Sequence, residues 1–375
     1  MPKRVAVVGA GIAGASVAAA LRRRGAETIV LEAAPSLGAG ASGNPAGLVM
    51  PRLDRGASGL SEMFLASYID AVTTYETLGV FNACGVEQRA DEKGEAALAD
   101  LLADPPLPVD WLRALSDGAA LHVRAGLADP RAAIAKLLAG ATLMCEAPVA
   151  ALEQAERGWI IRAPDRRAML KADAVVLACG AALTTFAAAK FLPVALSRGQ
   201  IEWGSGAAPT HALTCGGYVA PFDGGVLFGA TFDKAEENTP LRVENDADSR
   251  ARNLQALSAL APEVAASVDA SSLQSRAALR ATTPDRAPIV GVLPDAAAWQ
   301  AQNAASAHGA PPTHNPVHAG IFVLGGLGAR GLTLAPLLGE ALVGQMFGEP
   351  SLFSMQASAA IDPARFLLRA MKRRD

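Results

Sequence analysis

The residues near the N-terminus that are best suited to chemistry are three glycines and one glutamate. Gly9-Ala10-Gly11-Ile12-Ala13-Gly14 has the GxGxxG spacing, and Glu32 follows at the end of the next apolar segment. Glycines at these positions allow a tight turn and a close approach to a pyrophosphate, while Glu32 can accept hydrogen bonds from a ribose diol. Ala33 and Ala34 offer no cation to a 2′-phosphate, which disfavours NADP.

The elements that must position these residues can be read from the flanking sequence. Arg4–Val8 predicts a buried strand, Ala15–Arg24 an apolar helix that stops at Gly25, and Thr28–Leu31 a second strand. The N-terminus of that helix offers N–H groups and a positive dipole end to phosphate. The order strand, glycine turn, helix, strand and acid therefore predicts a Rossmann-type dinucleotide site.

Two further glycine-rich segments favour FAD over NAD. The segment 37–47 is too rich in glycine for a helix or a packed strand, and its small residues allow a long ligand to lie along it. A second turn, Gly325–Gly331, lies between a predicted strand, Gly320–Leu324, and a predicted helix at about Thr333–Phe347. The sequence contains no second complete dinucleotide unit, so electrons are expected to come from a substrate and to leave to molecular oxygen or another acceptor.

Composition excludes several other classes of protein. Hydrophobic residues make up 51% of the 375 residues and the formal net charge is −3, so no global basic field points to nucleic acid or membrane. The uncharged runs are too short to span a membrane, and Arg22–Arg24 follows the N-terminal apolar run where a signal peptide would need a cleavage site. We expect a cytoplasmic protein.

Neither the cysteines nor the histidines predict a metal site. The four cysteines are scattered without a CxxC pair, which argues against a disulfide framework and fits a reducing compartment. They also lie outside any block tied to a flavin linkage, so non-covalent FAD is expected. His308, His314 and His318 share one Pro/Gly-rich stretch that is interpreted as a surface loop.

Four blocks together resemble the D-amino-acid oxidase/glycine oxidase (DAO) superfamily of FAD-dependent oxidoreductases along essentially the whole chain. The blocks are Val5–Glu32, Gly40–Pro51, Tyr218–Asp233, and Arg280–Gly291 with Gly325–Leu342. Within the superfamily, shorter stretches resemble the FAD-dependent oxidoreductase half of the bacterial bifunctional tRNA 5-methylaminomethyl-2-thiouridine biosynthesis proteins. These stretches are 41–47, Ser197-Arg198-Gly199-Gln200, 229–233 and 328–336.

This resemblance implies an amine oxidation. The expected substrate is 5-carboxymethylaminomethyl-(2-thio)uridine at the tRNA wobble position, which would lose its carboxymethyl group as glyoxylate. Met1 directly precedes the first predicted strand, so either a separate methyltransferase carries out the methylation or this protein acts alone. An oxidase of free glycine, sarcosine or D-amino acids remains the alternative, and a flavin-bound scaffold without turnover is a third reading. Oligomeric state is left open.

The resemblance also assigns candidate site residues. Arg280 is expected to hold the substrate carboxylate, with Tyr218 as a hydrogen-bond donor and Arg330 near the flavin or substrate; Arg198 and Gln200 are weaker candidates that cross between domains. The expected cofactor-binding residues are Gly9, Gly11, Ile12, Ala13, Gly14, Glu32, Ala33, Ala41, Ser42, Asn44, Ala46, Gly47, Leu48, Val149, Gly180, Gly326, Leu327, Gly328, Ala329, Arg330, Gly331 and Leu332.

The expected fold class is α/β, with a discontinuous, glutathione-reductase-like FAD-binding domain of Rossmann type. A second, α+β substrate domain is expected to be built on an antiparallel sheet, with a hairpin of Gly217–Pro221 and Gly225–Ala230 across Asp223-Gly224. The FAD-binding domain is placed at 1–55, 130–197 and 275–360, and the substrate domain at 56–129 and 198–274. Residues 294–319 lack periodicity and are interpreted as an excursion from the FAD-binding domain.

Overall fold

The computed structural model describes residues 1–53, 58–235, 241–305 and 315–372. Its strands are β1 (Arg4–Val8), β2 (Glu27–Leu31), β3 (Gly47–Val49), β4 (Phe81–Asn82), β5 (Val86–Gln88), β6 (Leu112–Ala114), β7 (Ala120–His122), β8 (Gly126–Ala128), β9 (Thr142–Met144), β10 (Ala151–Gln154), β11 (Trp159–Arg162), β12 (Ala168–Ala172), β13 (Ala174–Leu177), β14 (Ala195–Gly204), β15 (Ala212–Cys215), β16 (Gly217–Phe222), β17 (Gly225–Gly229), β18 (Asp233–Lys234), β19 (Gln274–Thr282), β20 (Ile289–Pro294) and β21 (Val317–Gly325). Its helices are α1 (Ile12–Arg23), α2 (Gly59–Thr77), α3 (Glu95–Ala103), α4 (Pro130–Leu138), α5 (Ala247–Leu260), α6 (Pro262–Ser267), α7 (Ala296–Ala305), α8 (Gly331–Phe347), α9 (Met355–Ile361) and α10 (Arg365–Lys372).

A six-stranded sheet carries the dinucleotide motif. Its order is β20-β21-β13-β1-β2-β9, and every pairing is parallel except β20 with β21. Alternate residues of β1 face opposite cores: Val5 and Val7 pack on the side of α1 and α8, whereas Ala6 and Val8 pack toward the meander β10-β11-β12. Because both faces are covered, β1 reads as a continuous apolar run.

Helices α1 and α8 cross at small residues behind this sheet. A Cβ at Gly339 of α8 would lie 2.9 Å from the backbone and Cβ of Ser16 of α1, so glycine permits the close crossing. Helix α8 ends at Gly348, whose φ of +72° is the left-handed conformation that commonly terminates helices. This packing fixes the start of α8 beside the start of α1.

A nine-stranded sheet forms the second layer of the molecule. Its order is β18-β14-β17-β16-β15-β5-β7-β6, with β19 also pairing to β14. The predicted hairpin is confirmed as β16 and β17, joined through Asp223 and Gly224, which both have positive φ as this two-residue turn requires. The predicted antiparallel sheet is present, and it includes one parallel pair, β15 with β5.

Strand β19 crosses a predicted domain boundary. It pairs with β14 from Gln274↔Trp203 to Thr282↔Ala195, so a boundary at residue 275 would separate a strand from its own sheet. Helix α2, placed with the substrate domain, packs against α8 and adds Phe64 to the core that α1 shares. The domain division therefore stays a prediction, and the pairing of β19 favours moving this boundary beyond residue 282.

Residues 294–319, predicted to be an excursion without periodicity, contain regular structure that was not predicted from the sequence. Helix α7 lies within it and buries Trp299, whose indole N–H donates to the carbonyl of Pro316 at 2.9 Å. His308 and His314 lie outside the described residues, whereas His318 lies in β21. Among the described helices, none combines the length and apolarity needed to cross a membrane.

Candidate active site

The first glycine turn joins β1 to α1 in a backbone conformation that side chains would prevent. Gly9 has φ of +102°, and a Cβ there would lie 2.7 Å from the carbonyl oxygen of Ala178. A Cβ at Gly14 would lie 1.8 Å from the carbonyl oxygen of Gly9, so α1 packs directly on the turn. The turn thus presents the N-terminus of α1 at the carboxyl end of the parallel strands, where open α/β sheets bind ligands.

The carboxylate of Glu32 is fixed beside this turn. It accepts hydrogen bonds from the backbone N–H of Ala10 (2.9 Å) and of Ala34 (3.0 Å), one on each oxygen. Each carboxylate oxygen can accept a further hydrogen bond, as a ribose diol requires. Met144 and Ala147 bond to the backbone of Glu32, which brings the following Val149 to the same edge of the sheet.

Residues 38–47 lie beside the first glycine turn, and the region between these two segments and the second glycine turn, Gly325–Gly331, is called the cleft below. The hydroxyl of Ser42 accepts from the backbone N–H of Ile12 at 3.1 Å, so this segment lies against the start of α1. A Cβ at Gly47 would lie 2.2 Å from Cδ1 of Leu332, so the same segment also lies against the start of α8. Ala41, Asn44, Ala46 and Leu48 lie within this segment or directly after it.

The second glycine turn completes the cleft. Gly326 and Gly328 have positive φ, and Gly331 lies close enough to Ile12 that a Cβ would meet its side chain at 3.4 Å. Residues 328–330, which include Arg330, form one turn of 3₁₀ helix directly before α8. The tyrosine hydroxyl of Tyr75 donates to the carbonyl of Leu332 at 2.7 Å and holds this start in place.

The donors and acceptors of this cleft fit FAD. The N-terminal end of α1 offers backbone N–H groups and the positive end of the helix dipole to a pyrophosphate. Glu32 offers hydrogen-bond acceptors to a ribose. Gly40 and Gly180 have open space where a Cβ would project, so a ligand can lie flat on their backbone. The described residues contain no group of three or more His, Cys, Asp or Glu side chains that could hold a metal ion.

Arg280 lies on β19 with its guanidinium held over the neighbouring strand. Its Nη1 donates to the carbonyl of Thr231 at 3.3 Å, and its Cζ lies 5.8 Å from the ring centroid of Phe232. Burial lowers the pKa of Arg280, but an arginine remains charged. Among the described residues, no carboxylate pairs with this cation, since the ion pairs of the nearby Asp233 go to Arg198 and Arg252.

Tyr218 lies on β16 within electrostatic range of Arg280. It pairs across the hairpin with Gly229, two residues before Thr231. Burial raises the pKa of Tyr218 to about 12, and the charge of Arg280 opposes that rise. Its hydroxyl is therefore protonated at neutral pH and can donate a hydrogen bond.

Comparison with known proteins agrees with this geometry. A model of the DAO family, described as FAD-dependent oxidoreductases, matches residues 4–345. The chain belongs to the DAO family. It is 36% identical over 98% of its length to a tRNA 5-methylaminomethyl-2-thiouridine biosynthesis bifunctional protein MnmC of Caulobacter sp. strain K31, and 32% identical over 98% to that of Methylobacillus flagellatus. The chain spans 58% and 60% of these two relatives, respectively.

Solved structures share the fold of this DAO-family chain. Glycine oxidase from Geobacillus kaustophilus superposes with a TM-score of 0.76 at 20% identity, covering 94% of this chain and 97% of the other. Iminodiacetate oxidase from Chelativorans sp. BNC1 gives 0.74 at 24% identity, covering 96% and 100%. The predictions of an α/β fold and of an FAD-dependent oxidoreductase are confirmed.

The weaker candidates of this DAO-family chain, Arg198 and Gln200, lie on β14. They belong to a buried polar cluster between β14 and α5, in which Arg198 donates to Gln200 (2.7 Å) and Gln200 donates to Glu202 (2.8 Å). Arg198 is also ion-paired with Asp246, 2.6 Å away. The cluster joins α5 to β14, and the expected crossing between domains stays a prediction.

Three residues that lie near the segment 38–47 or near Arg280 were not predicted from the sequence as site residues. Arg276 donates to the carbonyls of Gly38, Ala39 and Gly40 at 2.5–3.1 Å and to Oδ1 of Asn44 at 2.9 Å. Gly199 supports Arg280, and Phe232 lies beside it. One signal was available: Arg276 and Arg280 are four residues apart on a strand, which puts both on one face.

Proposed function

We propose that this chain oxidises the C–N bond of a secondary amine that bears a carboxymethyl group. The proposed substrate is 5-carboxymethylaminomethyl-(2-thio)uridine at the wobble position of tRNA, and the released product is glyoxylate. One observation carries the proposal: the partly buried guanidinium of Arg280 lies within electrostatic range of Asp233 but forms no ion pair with a carboxylate of the described residues. A partly desolvated cation without an ion pair favours an anionic group supplied by the substrate.

Arg280 and Tyr218 have complementary roles in this proposal. Arg280 binds the substrate carboxylate through two parallel N–H···O bonds, a geometry that a guanidinium favours. The protonated hydroxyl of Tyr218 donates a third hydrogen bond, which fixes the orientation of the carboxymethyl group. Arg330, directly before α8, adds positive charge on the cofactor side of the cleft.

The chemistry then requires little else from the protein. FAD, when bound, would supply the acceptor for the hydride of the CH₂ group between the carboxylate and the amine nitrogen, and Arg280 and Tyr218 would hold that group by its carboxylate. The nitrogen loses a proton, and water hydrolyses the resulting imine to glyoxylate and an aminomethyl-uridine. The chain contributes binding and orientation, which hold the reacting carbon in place.

The cofactor is proposed to be held without a covalent bond by the cleft residues predicted from the sequence. Cys179 lies at this cleft, but burial raises the pKa of its thiol to about 12, with the charge of Glu32 acting in the same direction. A thiol that stays protonated is a poor nucleophile, which supports non-covalent binding. Molecular oxygen or another acceptor would reoxidise the reduced cofactor.

The tRNA part of the proposal draws support from the named relatives. The chain matches tRNA 5-methylaminomethyl-2-thiouridine biosynthesis bifunctional proteins at 32–36% identity over 58–60% of their length. The two-lobed division, with the FAD-binding domain at 1–55, 130–197 and about 283–360, places β16, β17 and β19 on the substrate side. A cytoplasmic location would give access to tRNA.

The test uses the purified yellow holoenzyme without oxygen. One sample receives an anticodon stem-loop carrying 5-carboxymethylaminomethyluridine, and parallel samples receive glycine, sarcosine and D-amino acids. Bleaching of the flavin absorbance by the stem-loop, with glyoxylate released, is the expected result. Bleaching by a free amino acid and not by the stem-loop would replace the proposal with a small-molecule amine oxidase. Arg280→Ala should keep its bound FAD and lose turnover.

A further inference from the structure

We infer that Phe232 is the surface on which the pyrimidine ring of the substrate stacks, which makes it a specificity-determining residue. The inference rests on the proposed function, because only a nucleotide-borne amine brings such a ring to the site. Phe232 would then distinguish a carboxymethylamino group attached to a base from the same group on a free amine.

The ring of Phe232 is exposed on a fixed backbone. Its exposed fraction is 52%, whereas that of Thr231, the preceding residue, is 6%. Thr231 exchanges hydrogen bonds with Gln200, and Asp233 on the other side is ion-paired with two arginines. An aromatic ring exposed to this extent adds little to the core and is available to contact a ligand.

Phe232 also stands at the right distance from the proposed carboxylate anchor. Its ring centroid lies 5.8 Å from Cζ of Arg280. Four single bonds join the carboxyl carbon of the substrate to the pyrimidine ring, an extended span of about 5 Å. A substrate bound to Arg280 by its carboxylate can therefore place its pyrimidine over the exposed face of Phe232.

The chemistry of the ring suits this role. Aromatic side chains stack on unpaired bases, which is how proteins commonly hold bases of single-stranded loops. A wobble nucleotide lies in such a loop. Free glycine or sarcosine bound to Arg280 would leave the face of Phe232 without a partner, so the residue contributes only to the nucleotide substrate.

The test compares Phe232→Leu with Phe232→Trp in the holoenzyme. Leucine keeps an apolar side chain and removes the π face, whereas tryptophan keeps and enlarges it. For the modified anticodon stem-loop, Phe232→Leu should lower kcat/KM about tenfold or more, and Phe232→Trp should retain it. The free nucleoside 5-carboxymethylaminomethyluridine, used as a competitor, should bind about tenfold more weakly to the leucine variant. Leu352→Ala, at a remote side chain with an exposed fraction of 53%, is the matched control and should change neither value.

Sarcosine separates this inference from other roles of Phe232. It carries the same carboxymethylamine without a base, so its inhibition constant should be equal for wild type and Phe232→Leu. An equal loss for sarcosine and the stem-loop would mean that Phe232 acts only by holding Arg280, and would overturn the inference. Full activity of Phe232→Leu on the stem-loop would overturn it as well and leave the proposed function intact. A wild-type enzyme that oxidises sarcosine and not the stem-loop would instead refute the proposed function.

Discussion

The guanidinium of Arg280 lies directly on Gly199, the residue of β14 that has no side chain at this point. A Cβ at Gly199 would be 2.1 Å from Nη2 and 2.3 Å from Cζ of Arg280, well inside van der Waals contact. The two strands are adjacent, with Ser197 opposite Arg280 and Gly199 opposite Ala278. Glycine at 199 therefore sets where the proposed carboxylate anchor can lie.

Gly199→Ala is expected to displace Arg280 and to weaken substrate binding. Loss of charge-assisted hydrogen bonds to the carboxylate should reduce kcat/KM about 10- to 100-fold, mainly through KM, with FAD still bound. Steady-state kinetics and the flavin spectrum measure the two effects. Gly204→Ala makes the same change on the same strand, where the new methyl group would meet the flexible end of Leu273, and should be nearly neutral. Equal kinetics for Gly199→Ala and wild type would show that Arg280 does not need this position.

The fold and the cofactor turn could be predicted from sequence because their determinants are local. GxGxxG, the apolar strand before it and Glu32 lie within one βαβ unit, so spacing along the chain carries the geometry. The hairpin across Asp223-Gly224 was equally local. In contrast, the support of Arg280 by Gly199 depends on the register between β14 and β19, which lie far apart in the chain.

The same reasoning explains why Arg276 was missed and α7 was not foreseen. Arg276 acts on the carbonyls of Gly38, Ala39 and Gly40, a contact across 236–238 residues of sequence that no pattern encodes. Helix α7 lacks a marked apolar periodicity and is recognisable mainly through the burial of Trp299. Both the contacts of Arg276 and the formation of α7 depend on tertiary packing, which composition alone does not predict.

Arg276 is expected to be a positioning residue for the cofactor segment. Arg276→Lys keeps the charge and loses the planar fork that bonds three successive carbonyls, so it should weaken FAD binding about tenfold, and Arg276→Met should weaken it further. Equilibrium dialysis of FAD against the apoprotein gives the dissociation constants. Arg167→Met changes an exposed arginine whose ion pair is with Asp165 and serves as the control. If Arg276→Lys leaves the dissociation constant of FAD unchanged, then Arg276 contributes to FAD binding only through its charge.

Tyr218→Phe is expected to lower kcat/KM about 10- to 100-fold, the effect of one hydrogen bond to a charged carboxylate, without shifting the pH profile near neutrality. The hydroxyl ionises at about pH 12 in the folded protein and near pH 10 in the unfolded chain. The raised pKa leaves the free energy of unfolding intact below pH 10 and lowers it as the pH rises toward 12. The stability of the wild type relative to Tyr218→Phe should therefore fall across that window in alkaline urea titrations. A kinetic pKa near 7 that disappears in Tyr218→Phe would contradict this assignment.

Asp285→Asn is expected to destabilise the junction between the C-terminal helix and the loop after β19. Asp285 accepts from Nε (3.0 Å) and Nη2 (3.2 Å) of Arg365, whose side chain is 5% exposed, so the substitution leaves a buried cation without its carboxylate. The cost should be about 3 kcal/mol in urea unfolding.

Arg365 and Arg369 hold the pKa of Asp285 well below its usual range, against the effect of its burial. The depressed pKa means that this stability is present above about pH 4 and is lost as the pH falls below it. Wild type and Asp285→Asn should converge in stability under acid conditions; a constant difference down to pH 2 would show that the ion pair does not carry the effect.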